Sequence, residues 1–236
     1  MTKFTVIIPT RNRIDFLKEA VASVIIQNYG LFEVLVINDG SQPIEEFADK
    51  RVRIIDNNQG GAVAARNLGV AQADGGYIAF LDDDDYWVDR THLAQANAAL
   101  TDMAEFYFAN GVMVFSDGSK KLFSRKADRN TLNKDNTVLI STVCYRKELH
   151  KQLGIFDDEL PYYWDWDWYL RVANAGLRLS RSNRVAAAIR VHPQNMSGED
   201  NRNARQDNLN RLTVKHGLLN IVLKNHLDFV ARPVTI

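Results

Sequence analysis

The sequence predicts an α/β fold, with a mostly parallel central sheet carrying helices on both faces and a second half of α+β character. Three observations predict it. Short β-branched runs alternate with helical stretches up to Asp102, the signature of right-handed parallel crossovers in a doubly wound sheet. Each run ends in polar residues, and in such sheets ligands bind outside the carboxyl ends of the strands. Beyond Asp102 the pattern changes to strands paired around a tight turn.

The elements follow in order. "FTVIIP" (Phe4 to Pro9) is a continuous β-branched run of the kind buried on both faces of a parallel sheet. Phe16, Leu17, Ala20, Val21, Val24 and Ile25 then recur every three or four residues, one apolar stripe along a helix. "FEVLVIND" (Phe32 to Asp39) reads as a second strand, closed by Gly40-Ser41, and "VRIID" (Val52 to Asp56) as a third. The small-residue run from Gly60 to Ala73 predicts a helix lying close on its sheet, and "YIAFL" (Tyr77 to Leu81) a fourth strand. Two antiparallel strands are expected around "SDGS" (Ser116 to Ser119), and another strand over Thr137 to Tyr145. A helix is expected from near Trp166, and "VAAAIRVH" reads as a strand ending at His192. Past Asn201 the helical periodicity resumes through Leu209, Leu212, Leu219, Val222 and Leu223.

Composition narrows the function. The 236 residues are 46% apolar, ample for a packed core, and 29 acidic residues balance 29 basic ones. The overall field therefore neither draws the chain to nucleic acid nor repels anionic ligands, and electrostatics must be local. The single cysteine, Cys144, fits a reducing compartment and reads as a small buried apolar residue. No apolar stretch approaches the ~20 residues needed to span a bilayer, so a cytoplasmic location is expected. The triplet Asn195-Met196-Ser197 then carries no glycosylation.

"FLDDDDYW" (Phe80 to Trp87) places Asp82, Asp83, Asp84 and Asp85 where the fourth strand leaves the core. Two carboxylates about 4 Å apart repel by ~1 kcal/mol in water and ~4 kcal/mol near a protein surface, and a cation relieves that cost. The plain alternative is a solvated turn with one aspartate capping the next helix. Pro9-Thr10, Asn38-Asp39 and Asp56-Asn57 end the other strands, so four polar clusters gather on one rim. The chain has no G-x-G-x-x-G after its first strand, no phosphate loop, no H-E-x-x-H and no C-x-x-C. An acidic rim suits Mg²⁺ or Mn²⁺ with a phosphorylated ligand.

"VIIPTRNR" (Val6 to Arg13), "VLVINDGS" (Val34 to Ser41), "NQGGAVAARNLGV" (Asn58 to Val70) and "FLDDDD" (Phe80 to Asp85), in that order, resemble the nucleotide-sugar-binding half of the family 2 glycosyltransferases. "WDWDWYLRVANAG" (Trp164 to Gly176) and "RVHPQNMS" (Arg190 to Ser197) extend the likeness more loosely. The resemblance implies a GT-A type, Rossmann-like fold. It implies one domain over 4–200, with a nucleotide-sugar half (4–102) and an acceptor and catalytic-base half (103–200), then a helical extension over 201–236. It makes Thr10 and Asp39 contacts to the donor's base and ribose, Arg66 an arginine near the nucleotide, Asp82 a partner of ribose or sugar hydroxyls, and Asp84 and His192 metal ligands. Pro9, Arg13, Asn58, Gly61 and Asp83 join the donor-binding set, with Asp83 turned away from the metal and Asp85 capping the following helix. The remaining histidines, His92, His150, His216 and His226, read as structural.

Either aspartate of "WDWDW" offers a general base. In a strand Asp165 and Asp167 share a face; in a helix they point about 200° apart and only one faces the site. Leu170, Val172 and Ala173 continue at helical spacing, and the family's Glu-Asp pair aligns its aspartate with Asp165, Trp164 replacing the glutamate. Asp165 is preferred, Asp167 is the runner-up, and Trp164 and Trp166 are candidates to stack on an acceptor sugar. The implied function is an inverting, metal-dependent transfer from a nucleoside-diphosphate sugar, UDP-linked by preference, to a carbohydrate or lipid-linked acceptor in cell-surface polysaccharide or glycan synthesis. A sugar-phosphate nucleotidyltransferase and a non-catalytic nucleotide-sugar-binding protein are the alternatives. The last segment, with Leu218, Leu219, Val222 and Leu223 beside Lys215 and Lys224, suits a cover for its own core ahead of a homo-oligomer contact or the inner face of a membrane.

Overall fold

The opening β-branched run forms β1 (Phe4–Thr10), every residue of which is buried. It is the third strand in the sheet order, and helices cover both of its faces. In this computed structural model, which describes residues 2–193, 195–196 and 201–230, β1 is followed by α1 (Ile14–Ile25), β2 (Phe32–Asn38), β3 (Val52–Asp56), α2 (Ala62–Gln72) and β4 (Tyr77–Phe80). β1 runs parallel to β2 and to β4, and β2 parallel to β3, so the first half orders its strands β3-β2-β1-β4. Phe4, Val6 and Ile8 point to one side, packing with Leu17, Val21 and Val24 of α1. Ile7 points to the other, with Val63, Ala65 and Val70 of α2. Burying each such large side chain contributes ~1.5–3 kcal/mol. α2 lies close on the sheet as expected: a Cβ on its Gly69 would stand 2.6 Å from Ile7 Cγ2.

The chain winds outward from β1 through β2 to β3, then crosses back to β4 on the opposite side. The carboxyl ends of β1 and β4 therefore flank the point where the winding reverses, which is where a crevice opens. After the aspartates come β5 (Tyr86–Trp87), α3 (His92–Asp102), β6 (Phe106–Phe115), β7 (Lys120–Phe123), α4 (Arg129–Leu132), β8 (Cys144–Arg146), α5 (Leu149–Leu153), α6 (Trp164–Asn174), β9 (Leu179–Val191) and α7 (Arg202–His216). β6 and β7 are antiparallel around "SDGS", as predicted. β8 joins the two halves, antiparallel to both β4 and β6, while β9 runs parallel to β6 and antiparallel to β5. Both halves thus share one nine-stranded sheet.

Three local expectations are corrected. The stretch Thr137 to Tyr145 is not one strand: Ile140–Thr142 form a 3₁₀ turn and the ladder begins at Cys144. The Thr142 hydroxyl donates to Leu139 O at 2.8 Å, the kind of local bond that competes with strand pairing. The last helix stops at His216 and does not continue through Leu219, Val222 and Leu223. Gly217 ends it at φ +62°, a left-handed conformation that suits glycine. Asp85 does not cap α3, whose N-cap is Thr91 with no side-chain cap hydrogen bond; Asp89 accepts from Thr91 N at 2.9 Å in the turn ahead of the helix. α6 begins at Trp164, in keeping with the helix expected from near Trp166.

Leu209, Leu212 and Leu218 are buried in the same cluster as α2 and α6, with Ile221 and Leu223 packed against it. None of the helices described is long and apolar enough to cross a membrane. Ser197 of the His192 motif, the expected domain edge at residue 200 and positions 231–236 of the extension lie outside the described residues.

Candidate active site

The turn after β4 sends its four aspartates to different partners. Asp82 pairs with Arg66 of α2. Asp83 is 1% exposed, turned toward β1, where Thr10 Oγ1 donates to it at 2.6 Å and Arg13 Nη2 pairs with it at 2.7 Å. Asp84 Oδ2 receives Arg13 Nη1 at 2.6 Å and lies 3.1 Å from His192 Nε2. Asp85 is buried and accepts from Ser141 Oγ at 2.6 Å and from Arg190 N at 3.1 Å. Burial pushes the Asp85 carboxyl well up from its ordinary range, and the charges of Asp84 and Asp82 push it further. Burial likewise raises Asp83 to about 6 against the pull of Thr10 and Arg13.

Among the described residues, Asp82, Asp84 and Asp85 each offer a carboxylate oxygen, and these oxygens lie within 4.8 Å of one another. Three converging carboxylates with an imidazole adjoining form a hard, anionic donor set, and it fits Mg²⁺ or Mn²⁺. Asp83 faces away from this cluster.

A cavity of about 760 Å³ opens over the aspartates. Pro9, Thr10, Arg13 and Asp39 line it from the ends of β1 and β2, Arg66 from α2, and Asp82 to Asp85 from the floor. Asp39 Oδ1 accepts from Asn57 Nδ2 at 2.7 Å. Asn136, Tyr163, Trp164, Asp165 and Trp166 line it as well, together with Val222, His226 and Phe229 of the C-terminal segment. Not every predicted site residue reaches the cavity. Asn58 is exposed in the turn before α2 and does not line it. Gly61 opens α2 at φ +97° and accepts from Asn57 Nδ2 through its carbonyl, without forming part of the wall. His192 meets Asp84 from outside the cavity, its ring stacked on Phe16 at 5.9 Å.

The two candidate bases separate cleanly. Asp165 lines the cavity, accepting from Asn136 Nδ2 at 2.9 Å and Trp166 N at 2.8 Å. Burial, stronger than these bonds and the field of Arg66, raises it to about 6. Asp167 is fully buried on the other side of α6, against Arg171 at 2.7 Å, Lys215 at 2.7 Å and His216 at 2.8 Å. Burial alone would raise its pKa; those three partners hold it at about 2. Trp164 carries the Arg66 guanidinium over its ring at 4.5 Å, and Trp166 Nε1 donates to Leu132 O at 2.8 Å, so both indoles are held in place.

Sequence reasoning missed Asn136, Ser141 and Arg190. Ser141 Oγ accepts from Asp82 N at 3.2 Å as well as donating to Asp85, across more than fifty residues of chain. Arg190 Nη1 donates to Asp84 O at 2.9 Å with its guanidinium between Phe16 and Tyr86. Arg190 stood inside the quoted "RVHPQNMS"; nothing in the sequence singles out Asn136 or Ser141.

The same architecture occurs in solved glycosyltransferases. S. aureus TarS 1-349 in complex with UDP-GlcNAc matches with a TM-score of 0.69 at 21% identity, covering 94% of this chain and 68% of that one. The Pyrobaculum calidifontis mannosyltransferase PcManGT, in complex with GDP-Man and Mn²⁺, matches at 0.66 and 20% identity, covering 91% and 64%. The fold is that of the GT-A glycosyltransferases. The model of glycosyl transferase family 2 matches residues 5–154, and the chain belongs to that family. The uncharacterized glycosyltransferase YwdF of Bacillus subtilis is 31% identical, covering 98% of this chain and 90% of that protein. WfaP of Escherichia coli, a UDP-Glc:alpha-D-GlcNAc-diphosphoundecaprenol beta-1,3-glucosyltransferase, is 28% identical, covering 84% and 80%. Other similar proteins are longer: this chain spans 40% of S. aureus TarS and 15% of a Rickettsia felis glycosyltransferase.

Proposed function

We propose that the chain transfers a sugar, with inversion, from a nucleoside-diphosphate sugar, UDP-linked by preference, to an acceptor hydroxyl, with Asp165 as general base. The observation that carries this reading is that Asp165 and the acidic turn line one cavity, while Asp167 is locked into ion pairs. That Thr10, Asp39 and Arg66 line this cavity supports a role for them in holding the base, ribose and phosphates of the donor. Asp165 takes the proton of the acceptor hydroxyl as its oxygen bonds to the anomeric carbon. The bond to the diphosphate breaks on the opposite face, and the nucleoside diphosphate leaves with the electron pair. Asn136 and Trp166 N hold the two oxygens of the base, and its raised pKa keeps it a useful proton acceptor near neutrality. A divalent cation held by Asp84 and His192, with Asp82 and Asp85 each able to offer an oxygen, would offset the charge developing on the departing diphosphate. That relatives such as WfaP act on a lipid-diphosphate-linked sugar supports a lipid-linked acceptor in surface-glycan assembly at the inner face of the membrane.

The test is a nucleotide-release assay over UDP-, GDP- and dTDP-sugars, with Mg²⁺, Mn²⁺ or excess chelator. Metal-stimulated UDP release from a UDP-sugar is expected; pyrophosphate release from a nucleoside triphosphate and a sugar phosphate would instead establish a nucleotidyltransferase.

A further inference from the structure

Basic residues are not spread evenly over this chain. Its 29 acidic and 29 basic residues cancel overall, yet residues 120–134 hold six cations, Lys120, Lys121, Arg125, Lys126, Arg129 and Lys134, against one acid, Asp128. Arg125, Lys126, Arg129 and Lys134 are exposed, and none of the six forms an ion pair among the described residues. Arg181 Nη2 donates to Ser124 Oγ at 2.7 Å and brings a further guanidinium to the same stretch. Asp135, the acid that follows, is already neutralised by Lys224 at 2.6 Å. Protein surfaces ordinarily intersperse the two signs, so an unpaired run of one sign is a local field on a molecule with no net charge.

The C-terminal segment adds apolar surface beside this field. Lys224 reaches Asp135, His226 sets its ring edge-on against Phe123 at 5.3 Å, and Arg125 stands over the Phe229 ring at 5.1 Å. These contacts lay the segment along the basic stretch. Leu219 and Val222, on the same segment, are 81% and 65% exposed. Val222, Lys224 and Phe229 also line the cavity, as do Asp135 and Asn136 directly after Lys134, so the basic stretch and the apolar segment both adjoin it. Unpaired cations next to exposed aliphatic side chains suit an anionic bilayer, which offers phosphate charge and acyl chains together. A soluble polyanion would use the cations and leave the leucine and valine in water.

We propose that residues 120–134, with Leu219 and Val222 of the C-terminal segment, dock the chain on a membrane surface of anionic phospholipid. The contact is peripheral, since none of the helices described is long and apolar enough to cross a bilayer. Docking there sets the cavity beside the bilayer surface, where a lipid-linked acceptor presents its sugar. That consequence rests on the proposed transfer reaction; the docking itself does not.

Vesicle co-sedimentation of the full chain tests it, with vesicles of phosphatidylcholine alone and of phosphatidylcholine mixed with phosphatidylglycerol. Binding to the mixed vesicles only, weakening with added salt, is expected. Each cation near an anionic surface strengthens binding about fivefold, so Lys126→Gln, Arg129→Gln and Lys134→Gln together should weaken it by on the order of 100-fold. Lys126→Gln alone, with its fivefold loss, replaces the triple variant if that unfolds. The same change of three charges at Lys18, Lys50 and Lys151, exposed and outside the stretch, should leave binding within about twofold. Leu219→Ser should weaken it by about 3- to 10-fold. Equal binding to both kinds of vesicle, equal loss in the two triple variants, or binding to single-stranded DNA with none to vesicles overturns the surface. UDP calorimetry on the same proteins reports separately on the donor reading: every variant should keep the wild-type affinity, and a wild type that does not bind UDP ends that reading whatever the vesicles show.

Discussion

Asp165 and Asp167 stand two residues apart on α6 and meet opposite surroundings: Asp165 accepts from Asn136 at 2.9 Å in the cavity wall, whereas Asp167 pairs with Arg171 at 2.7 Å in the core. Helical geometry forces the separation. Asp167 ties α6 to Lys215 and His216 of α7, and Asp165 stays on the cavity lining, where it is the proposed base.

Asp165→Asn should therefore lower transfer by about 10²- to 10⁴-fold while nucleotide affinity stays within twofold on the order expected for an intact donor wall. Asp167→Asn should do the reverse. It leaves cations unpaired in the interior and should cost about 3 kcal/mol in denaturant unfolding, and transfer by the folded fraction should persist. Near-normal turnover of Asp165→Asn would place the base elsewhere.

The raised pKa of Asp165 sets a pH dependence. A general base works deprotonated, so kcat should climb as pH rises through about 6 and level off above it. Asn136→Leu removes a hydrogen bond that favours the charged form, so the limb should move to higher pH. A pH–rate profile of both proteins measures the displacement; a limb that stays in place rules out this contact as the cause.

Asp167 also governs acid stability. Its folded pKa of about 2 lies below the unfolded value of 3.8, so its contribution is complete above the unfolded value and is lost as pH falls through the folded one. The pair of values corresponds to about 2 kcal/mol. Unfolding followed by circular dichroism from pH 5 to pH 2 should show that loss in the wild type and a flatter profile in Asp167→Asn.

Asp84→Asn should weaken donor binding in Mg²⁺ or Mn²⁺ and leave the weaker binding in excess chelator little changed. Calorimetric titration with UDP under both conditions checks it, and equal loss in both would assign Asp84 to Arg13 alone.

Gly69→Val should destabilise without touching the site, since its Cβ would meet Ile7 Cγ2 at 2.6 Å. Overpacking of this kind costs about 1–3 kcal/mol, read as a lowered midpoint of denaturant unfolding.

The first half of the fold was legible because β1, β2 and β4 are buried on both faces and so carry unbroken apolar runs, while α1 bears a one-sided stripe. The strand Thr137 to Tyr145 was misread because Ser141 and Thr142 spend their hydroxyls on Asp85 and Leu139, contacts that no local pattern displays. The long final helix was misread because apolar residues kept helical spacing beyond Gly217, whose left-handed turn redirects the chain. Thr10, Asp39 and the aspartates could be placed on one rim from strand ends alone, whereas Arg66, inside α2, was indicated only by the family resemblance. Asn136, Ser141 and His226 could not, since each arrives from a distant segment through tertiary packing.

The hydroxyl of Ser141 has a wider consequence. It binds Asp85 and the amide of Asp82 at once, fastening the acidic turn after β4 to the 3₁₀ turn more than fifty residues further on. Displacing either turn therefore strains hydrogen bonds that hold the other, and one small side chain keeps two distant stretches of the cavity lining in register.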